Sequence, residues 1–335
     1  MKEQKKIFLI SPSPSTFTQR DLEALRREYP VREAVISNYQ GKIGLTRSLL
    51  IALEIFRGVL WADLTYSWFA HNHSYLAVML ANLLGKRTIV VIGGYEVARE
   101  PEIGYGALLD QKLAKRVNYI VQNADHILAV SEFNRREILE LSDRRHVAVV
   151  YNGIDCAQFS PGEEKRDLVI TVCQINRSNI TLKGLDTFLE TAGRLPDLRF
   201  AIIGRDLDGS IESLRRDAPP NVEVIPSPSQ AELLQWYRRA KVYCQLSYRE
   251  SFGVALAEAM SCECVPVVTD RGALPEVVGD TGFVVPYGDV EATAAAIVKA
   301  LQSDRGRAAR ARIEREFSLE GRMQKIRSII EERSV

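Results

Sequence analysis

Short apolar runs rich in Val and Ile recur along this chain with helical segments between them, and no other feature constrains its fold as strongly. Lys6–Ser11, Val31–Ser37, Leu64–Trp68, Thr88–Gly93, Ile127–Ser131 and Val147–Asn152 form one set. Leu168–Cys173, Phe200–Gly204, Val222–Pro226, Val242–Ser247, Val265–Thr269 and Phe283–Pro286 form another. Runs such as IVVIG at 89–93 and FAIIG at 200–204 are apolar without alternation, the pattern of strands buried on both faces of a parallel sheet. The intervening segments, such as Ala231–Ala240 and Ala292–Leu301, read as amphipathic helices. Strand–helix alternation of this kind specifies an α/β architecture. One stretch, DCAQFSPGEEKRD at 155–167, is polar, contains Pro-Gly and lacks periodicity, with about six strands on each side of it. Two doubly wound, Rossmann-like domains with parallel sheets joined there are expected to face an interdomain cleft. Ligands of such sheets bind beyond the carboxyl ends of the strands.

Composition removes several classes. With 335 residues, 46% hydrophobic and 26% charged, the chain is an ordinary globular protein of about two domains. A net charge of +1 provides no global field for nucleic acid. The five cysteines lack metal-ligand spacing, Cys262 and Cys264 being only two apart, which fits a reduced, cytoplasmic protein without disulfides. The first residues, MKEQKKIFLI, turn polar again at Ser11, too soon for a signal peptide, and no window approaches 18 uninterrupted apolar residues.

Chemistry concentrates in LSYRESFGVALAEAMSCECVPVV, residues 246–268. Glu250 is expected in the loop after a strand, and Glu258 inside the helix that opens near Phe252–Gly253. The free N–H groups of that helix start make an anion site, and Gly253 lets a phosphate or sugar approach the backbone. Two glutamates eight apart are ordinarily solvated helix-face carboxylates. Glu258, however, sits in the apolar run GVALAEAMSCECV and there needs a partner or a ligand. Upstream, QINRSNITLKG at 174–184 follows another strand. Its Arg177 and Lys183, a rigid fork and a mobile point charge, suit a pyrophosphate, or are two exposed loop cations. Gly204, closing a strand, borders a base or is a plain strand-end turn. Gly272 and Glu276 lie in TDRGALPEVVGDTG, again after a strand.

Together these residues resemble the retaining glycosyltransferases of family 4 (group 1). Glu250-Ser251-Phe252-Gly253 through Glu258 matches that family's E-x7-E signature, and Arg177 with Lys183-Gly184 its R-x5-K-G element. Asn152-Gly153-Ile154-Asp155 with Phe159, and Gly272, Pro275-Glu276 and Gly282, extend the match, which is strong over about 152–286 and weak before it. The resemblance implies the GT-B fold. Its parts would be an acceptor domain at 1–154, a nucleotide-sugar domain at 155–318, and a C-terminal helix at 319–335 packing back on the first domain. It also implies transfer of a sugar from a nucleotide-sugar donor, a UDP- or GDP-sugar, to an acceptor hydroxyl of a lipid-linked, glycan or small-molecule acceptor, with retention. No cofactor and no metal are implied. Arg177 and Lys183 would hold the diphosphate, Glu250 the sugar and Glu258 the ribose. Backbone amides of Ser251, Phe252, Gly253 and Val254 would reach sugar and phosphate. One departure is Glu263, where the family often has Gly.

In the first half the acceptor side is read from His71, His73, Gly93, Gly94 and Glu96, which follow two strand ends. The histidines are acceptor-facing or structural, and YEVAREPEIGYG at 95–106 is an acceptor lid or a plain surface loop. Basic pairs Arg26-Arg27, Arg135-Arg136 and Arg144-Arg145, with Lys112, Lys115 and Arg116, mark either a solvated face or contact with an anionic membrane. Two rivals stand. One is a catalytically inactive nucleotide-sugar-binding regulator of the same fold. The other is a nicotinamide-dependent dehydrogenase, which needs a G-x-G-x-x-G turn where this chain has SPSPSTF. Sequence alone leaves the oligomeric state open.

Overall fold

Unbroken Val/Ile runs become strands because both faces of each must be covered. In a computed structural model, which describes residues 4–36, 44–142, 147–162 and 164–332, the first set forms six strands. These are β1 (Ile7–Ser11), β2 (Val31–Val35), β3 (Leu64–Trp68), β4 (Arg87–Ile92), β5 (His126–Ala129) and β6 (Val147–Val149). The second set forms β7 (Arg166–Val172), β8 (Arg199–Gly204), β9 (Val222–Pro226), β10 (Ala240–Gln245), β11 (Val265–Thr269) and β12 (Phe283–Val285). Ser37, at the end of one expected strand, and the Arg144-Arg145 pair lie outside the described residues.

The chain divides into two compact units, Met1–Tyr151 with Ile329–Val335, and Asn152–Ser328. The first holds a parallel sheet of order β2-β1-β3-β4-β5-β6, the second one of order β12-β11-β10-β7-β8-β9. The order reverses between β1 and β3 in one sheet and between β7 and β10 in the other, and those are the positions where doubly wound sheets take ligands. Fully buried central strands β1, β3 and β11 contrast with the half-exposed edge strands β2 and β9. In the second unit Phe188 meets Phe200 edge to face at 5.5 Å within a core that includes Val169, Ile202, Val242, Val267 and Ile297. The helix Leu319–Glu331 ends on the first unit, where Arg87 donates to Ile329 O at 3.0 Å and Ile330 O at 2.9 Å, and Tyr29 to Glu331 at 3.0 Å.

Glu263 shows why a glycine suits its position. The helix Val254–Ser261 ends in a Schellman turn: Glu263 N–H donates to Met260 O at 2.9 Å and Cys264 N–H to Ala259 O at 3.0 Å. That turn puts Glu263 at φ 65°, in the left-handed region that costs a side-chain-bearing residue about 1–2 kcal/mol. Glu263→Gly is therefore expected to stabilise the second unit by about 0.5–1 kcal/mol, after the entropy glycine loses on folding. A urea midpoint that moves down instead removes this account of the turn.

Candidate active site

Two loops converge at the β7/β10 switch point. After β7 comes the short helix Arg177–Leu182, then Lys183, then Gly184 at φ 64°, which starts the helix Leu185–Arg194. A Cβ on Gly184 would lie 2.0 Å from the carbonyl oxygen of Leu246, so this turn presses on the exit of β10 in a way only glycine permits. Tyr248 N–H donates to Leu182 O at 2.9 Å and joins the same two loops. Their approach sets Lys183 Nζ 2.7 Å from Glu250 Oε2, with side chains 20% and 19% exposed. From the other side Gly272, at φ 62°, packs so closely that a Cβ would lie 2.2 Å from Glu250 O, and Ala273 N–H donates to that oxygen at 2.8 Å. Glu250 is thus pinned through its backbone and paired through its side chain. Burial alone would lower the Lys183 ammonium, but the charge and hydrogen bond of Glu250 outweigh it and hold the group above its usual value.

Arg177 is placed differently. It begins the six-residue helix, about 9 Å of helix rise before Lys183. Its backbone N–H donates to Asp208 Oδ2 at 3.0 Å, while its exposed side chain makes no hydrogen bond to a described residue. Gly204 closes β8 against the exit of β7, its carbonyl accepting from Ser227 N–H at 2.8 Å. Glu250, Ser251 and Phe252 stand in the loop before the helix Val254–Ser261, whose first-turn N–H groups have no acceptor within the helix. The Phe252 ring is buried against Phe317 at 5.5 Å and anchors that helix start. Glu258, only 6% exposed, accepts from the Tyr237 hydroxyl at 3.4 Å. Burial and the Glu258 charge keep that phenol far above its ordinary value, so it remains a donor.

Gln245 belongs to the same arrangement and was not singled out by the motifs. Tyr243 OH donates to Gln245 Oε1 at 2.9 Å. The Gln245 amide donates to Ser247 Oγ at 2.8 Å and to Glu250 Oε2 at 3.4 Å. Tyr243, Gln245 and Ser247 alternate along β10 and its exit, so one face of this buried strand is polar, and that alternation is the signal that would have found them. The chain of bonds fixes which end of the amide meets the carboxylate. Gln245→Leu is expected to lower turnover about tenfold, the scale of one hydrogen bond to a charged group. Turnover at the wild-type rate would leave Gln245 a core residue only.

In the first unit, Phe69 takes φ 68° at the exit of β3, and its ring occupies the space a Cβ on Gly93 would need. Glu96 is 1% exposed: its Oε1 accepts from Ala70 and Gly93 N–H, both at 3.1 Å, and its Oε2 from Gly94 N–H at 2.8 Å. Burial pushes this carboxyl up while those bonds pull it down, with a net rise. Glu96 therefore ties together the exits of β3 and β4. Glu96 lies in the first of three single 3₁₀ turns, Tyr95–Val97, Pro101–Ile103 and Ala107–Leu109, with a bridge between Glu100 and Tyr105. His73 lies in the first turn of the helix Asn72–Leu83 and bonds Trp68 O through Nε2 at 2.8 Å. A carbonyl only accepts, so Nε2 carries the proton and the buried Nδ1, which has no hydrogen-bond partner, presents a lone pair. Burial lowers the His73 pKa to about 4. His71 is lowered too, by burial and then by Arg116, and its ring lies 6.3 Å from that of His73. Among the described residues no three His, Cys, Asp or Glu side chains are grouped to hold a metal ion.

Residues 166–303 match the family described as Glycosyl transferases group 1, and residues 7–158 match Glycosyltransferase Family 4. The chain belongs to the family 4, group 1 glycosyltransferases. The D-inositol 3-phosphate glycosyltransferase of Mycobacterium sp. (strain JLS) is 28% identical over 199 residues, covering 51% of this chain and 43% of that protein. The phosphatidyl-myo-inositol mannosyltransferase of Mycolicibacterium smegmatis is 30% identical over 196 residues, covering 54% of this chain and 49% of that protein. The chain thus spans about half the length of the curated relatives it matches. The structure of Anabaena HepE in complex with UDP aligns over 97% of this chain and 99% of its own, with a TM-score of 0.79 at 15% identity. At that identity the likeness shows the fold, and the fold is GT-B.

Proposed function

We propose that this chain transfers a sugar from a nucleotide-sugar donor, a UDP- or GDP-sugar, to an acceptor hydroxyl with retention of configuration. The observation that carries this reading is the Lys183–Glu250 pair, 2.7 Å apart at the switch point of the second sheet. A raised, partly buried ammonium suits a diphosphate, and a carboxylate beside it suits the sugar that leaves that diphosphate. In this reading Lys183 and Arg177 hold the diphosphate, Glu258 the ribose, and the amides of 251–254 the sugar and phosphate, with Gly204 beside the base. The bond from the anomeric carbon to the diphosphate oxygen breaks as that carbon bonds the acceptor oxygen on the same face. The hydroxyl proton passes late to the departing phosphate, so no protein nucleophile and no divalent ion are required.

The second unit, from Asn152 onward, takes the donor. The first takes the acceptor at the β3 and β4 exits, near His71, His73, Gly93 and Gly94. The names of the two relatives contain D-inositol 3-phosphate in one case and phosphatidyl-myo-inositol, a phospholipid, in the other. A lipid-linked acceptor on the cytoplasmic face of an anionic membrane fits the second of these. Among the described residues no helix is long and apolar enough to cross a membrane.

The test is a panel of UDP- and GDP-sugars incubated with the purified chain, with and without EDTA, following nucleotide release and the anomeric form of the product. Donor turnover that survives chelation is expected. Nucleotide binding without hydrolysis or transfer supports the inactive regulator instead, and loss on chelation restored by magnesium overturns the metal-free mechanism.

A further inference from the structure

The helix Leu45–Trp61 carries more apolar surface than the fold covers. Its core face is Ile55, Gly58 and Val59, packed with Phe8, Ala34, Ala77 and Ala81. At about 100° per residue, Leu45, Leu49, Leu53, Phe56 and Leu60 fall together in a separate sector about 80° wide, forming a ridge about 22 Å long. These five side chains are between 41% and 78% exposed, and Leu50 beside them is 61% exposed. Of the fourteen exposed large apolar side chains among the described residues, six are on this one helix, so the ridge is a continuous patch and not ordinary scatter.

The edge of the ridge carries arginine and tryptophan side chains. Arg57 follows Phe56 onto the shoulder, and Arg32 stands 4.2 Å over the ring of Trp61 at the end of the helix. Both arginines line a shallow groove of about 380 Å³ beside Leu50 and Leu53. Glu33 and Glu54 line it too, but Glu33 is already paired with Arg26 at 3.2 Å. The ridge itself contains no carboxylate. A leucine and phenylalanine ridge bordered by arginine and tryptophan is the chemistry of a helix lying in a bilayer interface, with guanidinium heads at the level of lipid phosphates. A second copy seated on the same ridge would instead bring like guanidinium groups to one seam.

We propose that the helix Leu45–Trp61 docks this protein on anionic membranes, burying the Leu45–Leu60 ridge among acyl chains while Arg32 and Arg57 meet lipid phosphates. The inference rests on the lipid-acceptor reading above and gives it a location. Flotation with phosphatidylcholine vesicles containing about 30% phosphatidylglycerol, against pure phosphatidylcholine, tests it. The wild-type chain is expected to float with the anionic vesicles. Leu49→Glu/Phe56→Glu is expected to weaken partitioning about tenfold or more, and Arg57→Glu to weaken it several-fold on anionic vesicles alone. These positions are exposed, and an unchanged melting temperature shows that the variants fold. No flotation of wild type, or equal flotation of the double variant, overturns the proposal. So does a dimer in size-exclusion chromatography that the double variant turns into monomer without any vesicle binding. Nucleoside-diphosphate binding, measured on the same preparations without lipid, reports on the transferase reading separately.

Discussion

Glu250→Gln lowers kcat by about ten- to a thousandfold, at about 1.4 kcal/mol per decade, while Glu258→Gln chiefly raises the donor KM. The two glutamates share one signature but stand in different places. Glu250 sits in the loop, paired with Lys183 at 2.7 Å, and in the proposed reaction it stands where charge develops as the glycosidic bond breaks. An interaction that strengthens only in the transition state changes kcat. Glutamine there also leaves the Lys183 ammonium without its counter-ion, so its pKa falls toward that of an unpaired, partly buried amine. Glu258 is buried a helical turn deeper, beside the Tyr237 hydroxyl, and in this account meets a ribose that takes no part in the chemistry. Its loss costs uniform binding, about 1–3 kcal/mol. Steady-state kinetics on both variants checks the split. The reverse pattern exchanges the two roles, and wild-type kinetics in both removes the catalytic reading of the segment.

Acidification is expected to destabilise the first unit through His73. Its folded pKa of about 4 lies below the ordinary 6.5, so the unfolded chain binds the extra proton in that window. The sign follows: this contribution is fully present above pH 6.5 and is lost as pH falls toward 4, reaching about 3 kcal/mol at about 1.4 kcal/mol per unit. Glu96, whose carboxyl is raised, acts in the opposite sense but cancels when wild type and a His73 variant are compared. Urea unfolding of wild type and His73→Gln between pH 7 and 4.5 is expected to show a steeper loss in wild type. Parallel curves would mean that His73 is solvated and free to protonate.

How much of this was legible from the chain depends on which interactions are local. The strands were readable because short runs of β-branched, aromatic and other apolar residues leave a parallel sheet few alternatives, and LTYSW and IVVI became β3 and β4 within a residue or two. Placing Glu250 in a loop and Glu258 in a helix needed only the turn at Gly253, and the structure has both there. Gly184 and Gly272 were visible as residues, but their reason, close approach to Leu246 and to Glu250, joins separate strands and cannot be seen along one. Gln245 went unnoticed for a similar reason: a single glutamine in an apolar run becomes informative only when Tyr243, Ser247 and Glu250 are seen around it. Glu96, read as an acceptor residue, has its oxygens occupied by the neighbouring N–H groups of Gly93 and Gly94 and by that of Ala70, which follows the left-handed Phe69 and is distant along the chain. The ridge on Leu45–Trp61 was hidden because a helix apolar on most sides looks like a buried one, and periodicity does not say which face the fold leaves open.

The central claim is that Lys183, held by Glu250 at the β7/β10 switch point, is the seat of a nucleotide diphosphate. Isothermal calorimetry with UDP, GDP and ADP on the wild-type chain and on Lys183→Ala tests it most directly. The account predicts that UDP or GDP binds the wild type and that Lys183→Ala weakens it by about 1.5–3 kcal/mol, roughly ten- to a hundredfold, with the fold intact by circular dichroism. Failure of every nucleoside diphosphate to bind, or wild-type affinity in Lys183→Ala, would contradict it.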